Sequence, residues 1–242
     1  MIKKIHYCWF GRAKKPDEVI TYIETWKKYM PDFEIIEWNE GNFDFQQCAF
    51  ASQAYFLKRY AFVSDYVRMK VLYEHGGLYL DTDIKMLKPM GSLCEKGDFL
   101  GLECDGRYGT GILYATPKAL WVKKMIDFYE SHSFIKSGGM LRTEPNTYLL
   151  TSFFPNNSIG IDVYPYDYLT AKNWKTGEYE TTENTYCIHD YAKSWVNKNK
   201  KNYGPKFRFC NLVKVLEWWF VTKIFCVVML GLTNVNSCSI VI

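Results

Sequence analysis

The chain has 242 residues, enough to bury one substantial core, and 48% apolar with 18% aromatic residues is a composition that excludes a disordered chain. A formal net charge of +4 is too mild to point to nucleic acid by itself. The eight cysteines include no CxxC pair, which argues against a zinc ribbon or redox motif and for buried, reduced thiols.

The first element in chain order is IHYCWF (5–10), a β-branched and aromatic run that reads as a strand ending at Gly11. No apolar run of secretory-signal length precedes it, so the expectation is a cytoplasmic protein. Pro16 opens and Met30-Pro31 closes a helix over Asp17–Tyr29, with Val19, Ile20, Ile23, Trp26 and Tyr29 at helical spacing. FEIIEW (33–38) is the next strand, and strand, helix, strand at this spacing predicts a parallel unit. Residues 48–75 read as a helix in two pieces, the second ended by Gly76-Gly77. LYLDTDIKML (78–87) is predicted as one strand, stopping by Pro89. Short strands flank GRYGTG (106–111), a helix follows from Pro117 to about Tyr129, another lies near Asn146–Phe153, and one strand falls around VYPYDYL (163–169).

Chemistry concentrates at YLDTD. In an extended strand Tyr79, Asp81 and Asp83 would share one face, with Leu80 and Thr82 on the other. Two carboxylates on one face repel unless a cation or basic group compensates, and hard oxygen ligands favour Mg2+ or Mn2+, with water and substrate phosphate completing the shell. A bare DxD is also what a solvated turn after an edge strand looks like. The flanks sharpen it: in SDYVR (64–68) Asp65 and Arg68 share a helix face, alone an ordinary ion pair, but here followed by the double glycine, Tyr79 and the DxD.

Residues 61–89, AFVSDYVRMKVLYEHGGLYLDTDIKMLKP, resemble the signature of the DXD sugar-binding enzymes of glycosyltransferase family 32, which include yeast-type initiating mannosyltransferases and bacterial polysaccharide enzymes. The motif is also similar to that of the glucosylating domain of large clostridial toxins. The resemblance extends to IHYCWFG (5–11) and, more weakly, to YCIHDYAKSW (186–195). It implies an α/β domain of GT-A type over 1–195, a Rossmann-like mixed sheet flanked by helices, binding nucleotide at the strand carboxyl ends. It further implies a retaining transferase that moves a hexose from a UDP- or GDP-hexose, with Mn2+ or Mg2+, to a glycan acceptor, with lipid-linked oligosaccharide the favoured form. Asp83 would hold the metal, with Asp81 on the ribose and sugar hydroxyls and on the metal through water. Asp65 and Arg68 would bind the sugar or its phosphate, Arg68 stabilising the departing diphosphate, and Tyr79 would line the pocket. Trp9 would stack on the base, although a strand-end tryptophan in so aromatic a chain equally suits the core. His189 would approach the metal or phosphates, or be a satisfied structural histidine, and Trp195 would cap the donor. Two departures stand out: Asp190 replaces a second histidine, and Arg-Thr-Glu-Pro-Asn at 142–146 stands where relatives carry Thr-Gly-Pro, leaving the acceptor pocket unassigned. No nucleophile is indicated by spacing, and a front-face displacement assisted by the diphosphate needs none.

From Lys193 to Leu216 seven basic residues occur with no acidic one, and WWFVTKIFCVVMLGL (218–232) follows, interrupted by Lys223. Segment 196–242 could be a solvated face beside a core helix, or could dock peripherally on the inner face of an anionic membrane with Trp218, Trp219 and Phe220 in the interface, and the second is favoured. It is too interrupted for a spanning helix, and no nucleic-acid motif accompanies the charge. A catalytically silent nucleotide-sugar-binding or membrane-docking component of a polysaccharide assembly complex is the alternative function. A metal-dependent phosphohydrolase fits less well, because the sequence has only four histidines.

Overall fold

A computed structural model describes residues 1–192, so Trp195 and segment 196–242 lie outside the described residues. Among the described residues, 1–135 and 142–192 form one compact unit; Lys136–Leu141, a turn closed by Gly139 N–H to Lys136 O at 3.0 Å, belongs to a second.

The first unit is built on a mixed sheet. Strand β1 (Lys4–Cys8) lies between β2 (Glu34–Trp38) and β3 (Gly77–Leu80), parallel to both; β3 continues antiparallel into β6 (Tyr108–Ala115), then β5 (Phe99–Leu102), and β7 (Asp162–Tyr164) closes the far edge. The expected parallel unit is therefore present, with helix α1 (Asp17–Tyr29) as its crossover. Alternation divides the sheet between two helical layers. Ile5, Tyr7, Leu78, Leu80, Ile112 and Tyr114 face a core that includes Ile23 and Trp26 of α1. On the other side lie α2 (Ala49–Phe56), α3 (Tyr60–His75) and α5 (Leu120–Ser131), α3 packing against both of the others and against β1 and β3. Helix α4 (Gly91–Lys96) precedes β5, and α6 (Asn146–Phe153) and the short α7 (Tyr166–Leu169) flank β7. This is the helix-flanked mixed sheet expected of a GT-A fold. Of the free cysteines among the described residues, Cys8, Cys48, Cys94 and Cys187 are buried and Cys104 is half-buried, in line with mostly buried thiols.

Two strand expectations are corrected. The strand expected around 163–169 stops at Tyr164, and Pro165 leads into α7. LYLDTDIKML does not form one strand: β3 stops at Leu80, residues 82–83 turn, and β4 (Ile84–Met86) pairs antiparallel with β8 (Cys187–His189) as a separate two-stranded sheet. At the turn Ile84 N–H bonds back to Asp81 O at 3.1 Å, and the fully buried Ile84 packs in the α1 core, where its carbonyl accepts from Trp26 Nε1 at 2.8 Å. Neither β8 nor α4 was anticipated, and the helix expected from Pro117 starts at Leu120.

Candidate active site

The carboxyl ends of β1, β2 and β3 share one edge of the sheet, where ligands of open α/β sheets bind. Trp9, Asn39 and Asp81 are the first residues beyond them. The turn from α3 into β3 needs its glycines: Gly77 has φ +102, and a Cβ there would stand 2.8 Å from Lys4 O of the neighbouring strand. The same turn starts β3 directly after α3, so that Tyr79 and Asp81 come under the Arg68 face of the helix.

Arg68 is 5% exposed, and a buried guanidinium is tolerated only when its donors are satisfied. It pairs with Asp65 Oδ1 at 3.0 Å, donates to Asp81 Oδ2 at 3.1 Å, Thr110 O at 2.7 Å and Ser64 O at 3.3 Å, and its Cζ lies 4.8 Å from the Tyr79 ring centroid. Tyr79 donates its hydroxyl to Asp81 Oδ1 at 3.0 Å. The predicted Asp65–Arg68 pair thus exists, but it is interior. Tyr79, 1% exposed, supports Asp81 from beneath rather than presenting its side chain at an open surface. Burial, with the Asp81 charge adding to it, pushes the Asp65 carboxyl up to about 7 against the pull of Arg68.

Asp81 and Asp83 do converge, though not as neighbours on one strand face. Alternation holds from Tyr79 to Asp81; beyond it the turn brings Asp83 round to His189, whose Nε2 lies 3.2 Å from Asp83 Oδ1. One ligand atom from each of Asp81, Asp83 and His189 lies within 4.8 Å of the other two. These are spacings that ligands around one small cation adopt, and two carboxylates with an imidazole can hold a divalent cation. The strand β8 places His189, and the chain after it wraps Asp83: Asp190 N–H bonds Asp83 O and Ala192 N–H bonds Asp83 Oδ2, each at 2.9 Å. Burial alone would raise Asp83, but the facing imidazole and the Ala192 N–H bring it down to about 2. Burial likewise opposes charge on His189, yet Asp83, with Glu103 and Asp81 behind it, lifts the ring to about 9.

Asp190, standing in place of a second histidine, turns away: Lys172 Nζ and Tyr179 Oη hold its Oδ1 at 2.8 Å, and Tyr22 donates to its other oxygen. Trp9 sits at the rim of a cleft of about 390 Å3 between the ends of β1 and β2, where Lys15 pairs with Glu37 at 2.6 Å. Its indole N–H donates to Ala13 O at 2.7 Å and its side chain also packs against the core, so both readings of this residue have a structural counterpart.

Several residues of the site were not singled out from sequence. Glu103 and Tyr191 share a hydrogen bond beside His189. Thr110 donates to Asn146 Oδ1 at 2.5 Å, which leaves Asn146 Nδ2 buried without a partner among the described residues. Gly111 lies against the metal-ligand set: a Cβ there would stand 2.9 Å from His189 Cε1 and 3.0 Å from Asp81 Oδ2. The signal for Gly111 was in the sequence, because Gly109 and Gly111 of GRYGTG are two apart on one strand and so lie on one face.

Residues 16–100 match the family model described as a glycosyltransferase sugar-binding region containing a DXD motif. Over this segment the chain is similar to DXD-type glycosyltransferases. The match takes in Asp65, Arg68, Tyr79, Asp81 and Asp83, while Trp9 and His189 of the same site lie outside it. Solved glycosyltransferases similar to the chain include PaToxG, with 21% identity, a TM-score of 0.44 and coverage of 52% of this chain and 59% of that one. A glycosyltransferase involved in glycosylation of the major capsid of PBCV-1 is 12% identical, with a TM-score of 0.45 over 76% of this chain and 92% of that one. The galactosyltransferase LgtC, solved with donor and acceptor sugar analogues, is 13% identical, with a TM-score of 0.45 over 78% and 87%. The chain thus spans less than two thirds of PaToxG. Among curated proteins none matches the sequence.

Proposed function

We propose that the chain is a retaining hexosyltransferase that uses a UDP- or GDP-hexose with a divalent cation, Mn2+ in preference to Mg2+, and a glycan acceptor. The observation that carries this is the meeting of Asp81, Asp83 and His189 at the carboxyl edge of the sheet, with the Arg68 guanidinium directly behind Asp81. Asp83 and His189 hold the cation, and Asp81 serves both the cation and the donor ribose and sugar hydroxyls. The imidazole favours Mn2+ because Mg2+ takes oxygen ligands almost exclusively. When bound, the cation neutralises the diphosphate as negative charge develops on the leaving group.

Arg68 supplies fixed positive charge on the same side, and Asp65 and Tyr79 keep it there. Arg68, backed by these two interior residues, marks the sugar and phosphate end of the donor site. The cleft beside Trp9 takes the base, one strand away at the same edge. Domain 1–195 does this chemistry, Trp195 covers the donor, and segment 196–242 brings the enzyme to an anionic membrane where a lipid-linked acceptor resides. No helix among the described residues is long and apolar enough to cross a membrane.

The test is release of UDP or GDP from a panel of nucleotide hexoses by the full chain with Mn2+. Turnover with at least one donor, loss of it in EDTA, and a fall of two orders of magnitude or more in Asp83→Ala are expected. Full activity in EDTA or in that variant would overturn the metal role. Donor binding with no turnover for any hexose would favour the catalytically silent alternative.

A further inference from the structure

We infer that Glu103 and Tyr191 act as a positioning pair for His189, fixing the plane of its ring at the cation site. This rests on the reading of His189 as a cation ligand. A ligating histidine is normally oriented by a hydrogen bond from its other ring nitrogen to a carboxylate or carbonyl. His189 lacks that bond: Nε2 faces Asp83, while Nδ1 is buried with no partner among the described residues. On that side stands Gly111, where even a Cβ would be 3.2 Å from Nδ1 and which has no side chain to hold it.

The ring is held by its face instead. Tyr191 stacks on His189 with centroids 3.9 Å apart and planes 25° from parallel. Its hydroxyl donates to the Glu103 carboxylate, which is 5% exposed and would otherwise be a buried acceptor in want of a donor. Glu103 is in turn fixed at the β5–β6 turn, where its N–H bonds Arg107 O at 2.7 Å. Tyr191 reaches this position with φ +50, a conformation disfavoured for a residue with a Cβ, and such backbone outliers persist where the surroundings over-determine them. The pair thus joins the β5–β6 turn to the end of β8 across the histidine.

The experiment is Mn2+ affinity of the full chain without donor, read from free Mn2+ by electron paramagnetic resonance, with circular dichroism to check folding. Relative to wild type, Tyr191→Ala is expected to weaken Mn2+ at least tenfold. Tyr191→Phe keeps the stack and loses the tether, so a smaller loss is expected, matched by Glu103→Ala and not deepened in the double variant of these two. Glu103→Gln retains an acceptor for the hydroxyl and should bind close to wild type. If Tyr191→Ala does not fold, the comparison of Tyr191→Phe, Glu103→Ala and their double variant decides. Mn2+ affinity unchanged in Tyr191→Ala while His189→Ala is weakened would overturn the pair and leave the ligand role standing, and additive losses in the double variant would also overturn it. Unchanged affinity in His189→Ala would instead remove the ligand role, and the pair with it.

Discussion

At the scale of single residues, the site is crowded, and the crowding is itself testable. Gly111 leaves just enough room for His189 and Asp81: an added methyl would stand closer to both than side-chain contacts ordinarily allow, and its neighbours are held by Asp83, Tyr191 and Arg68 rather than free to swing away. Gly111→Ala should therefore reduce Mn2+-dependent turnover at least tenfold while costing about 1–3 kcal/mol of stability, the usual range for overpacking. Gly91→Ala, where a Cβ would meet nothing within 4 Å, is the matched control and should leave turnover unchanged. Equal turnover in the two variants would show that the close approach does not matter. The Asp65–Arg68 pair was legible in the sequence because it is a short-range spacing on a defined helix, whereas the acidic pair was legible only as a motif, since a turn and not strand alternation brings Asp83 round. The interior position of Tyr79 was not legible, because it depends on α3 lying over β3, and no spacing states that.

At the scale of elements, legibility followed the source of each element's stability. Helices α1 and α6 appear at the residues expected, since proline at the start and apolar spacing along the segment determine them locally. Strands β4 and β8 are three residues each and exist by pairing across about a hundred positions of chain, so nothing near either one announces it. The same distinction explains YLDTD: the alternation is continuous in sequence, and the break comes from β4 leaving the main sheet to pair with the remote β8. The junction that was read correctly, the double glycine after α3, makes a sharp prediction. Gly77→Ala would place a left-handed residue against the backbone of β1 and is expected to lower stability by about 2 kcal/mol or more in urea denaturation. A loss of under half a kcal/mol would mean that β3 can shift away from β1 at little cost, and the shared edge of the site would then not depend on this turn.

At the scale of the whole molecule, the pH dependence of stability carries a contribution from the middle of the sheet, away from the acidic pair. His6 is fully buried on β1, with Nε2 2.8 Å from Gly76 O and Nδ1 accepting from Trp38 Nε1 at 3.1 Å, so both nitrogens are committed in the neutral ring. Burial first, then the nearby His75 and Lys4 charges, bring it down to about 4, outweighing the bond to Gly76. An unfolded histidine takes up its proton near 6.5, so between 6.5 and 4 the unfolded chain binds more protons than the folded one and stability falls as pH is lowered. The full window corresponds to roughly 3 kcal/mol, of which most is lost by pH 4.5. Urea denaturation at pH 7.5 and pH 5 should show this as a steeper fall for wild type than for His6→Gln, which cannot titrate, even though the variant starts less stable through its lost packing. Parallel falls in the two proteins would place the acid sensitivity elsewhere, and the bond from His6 to the residue that caps α3 would then be a packing contact without a pH signature.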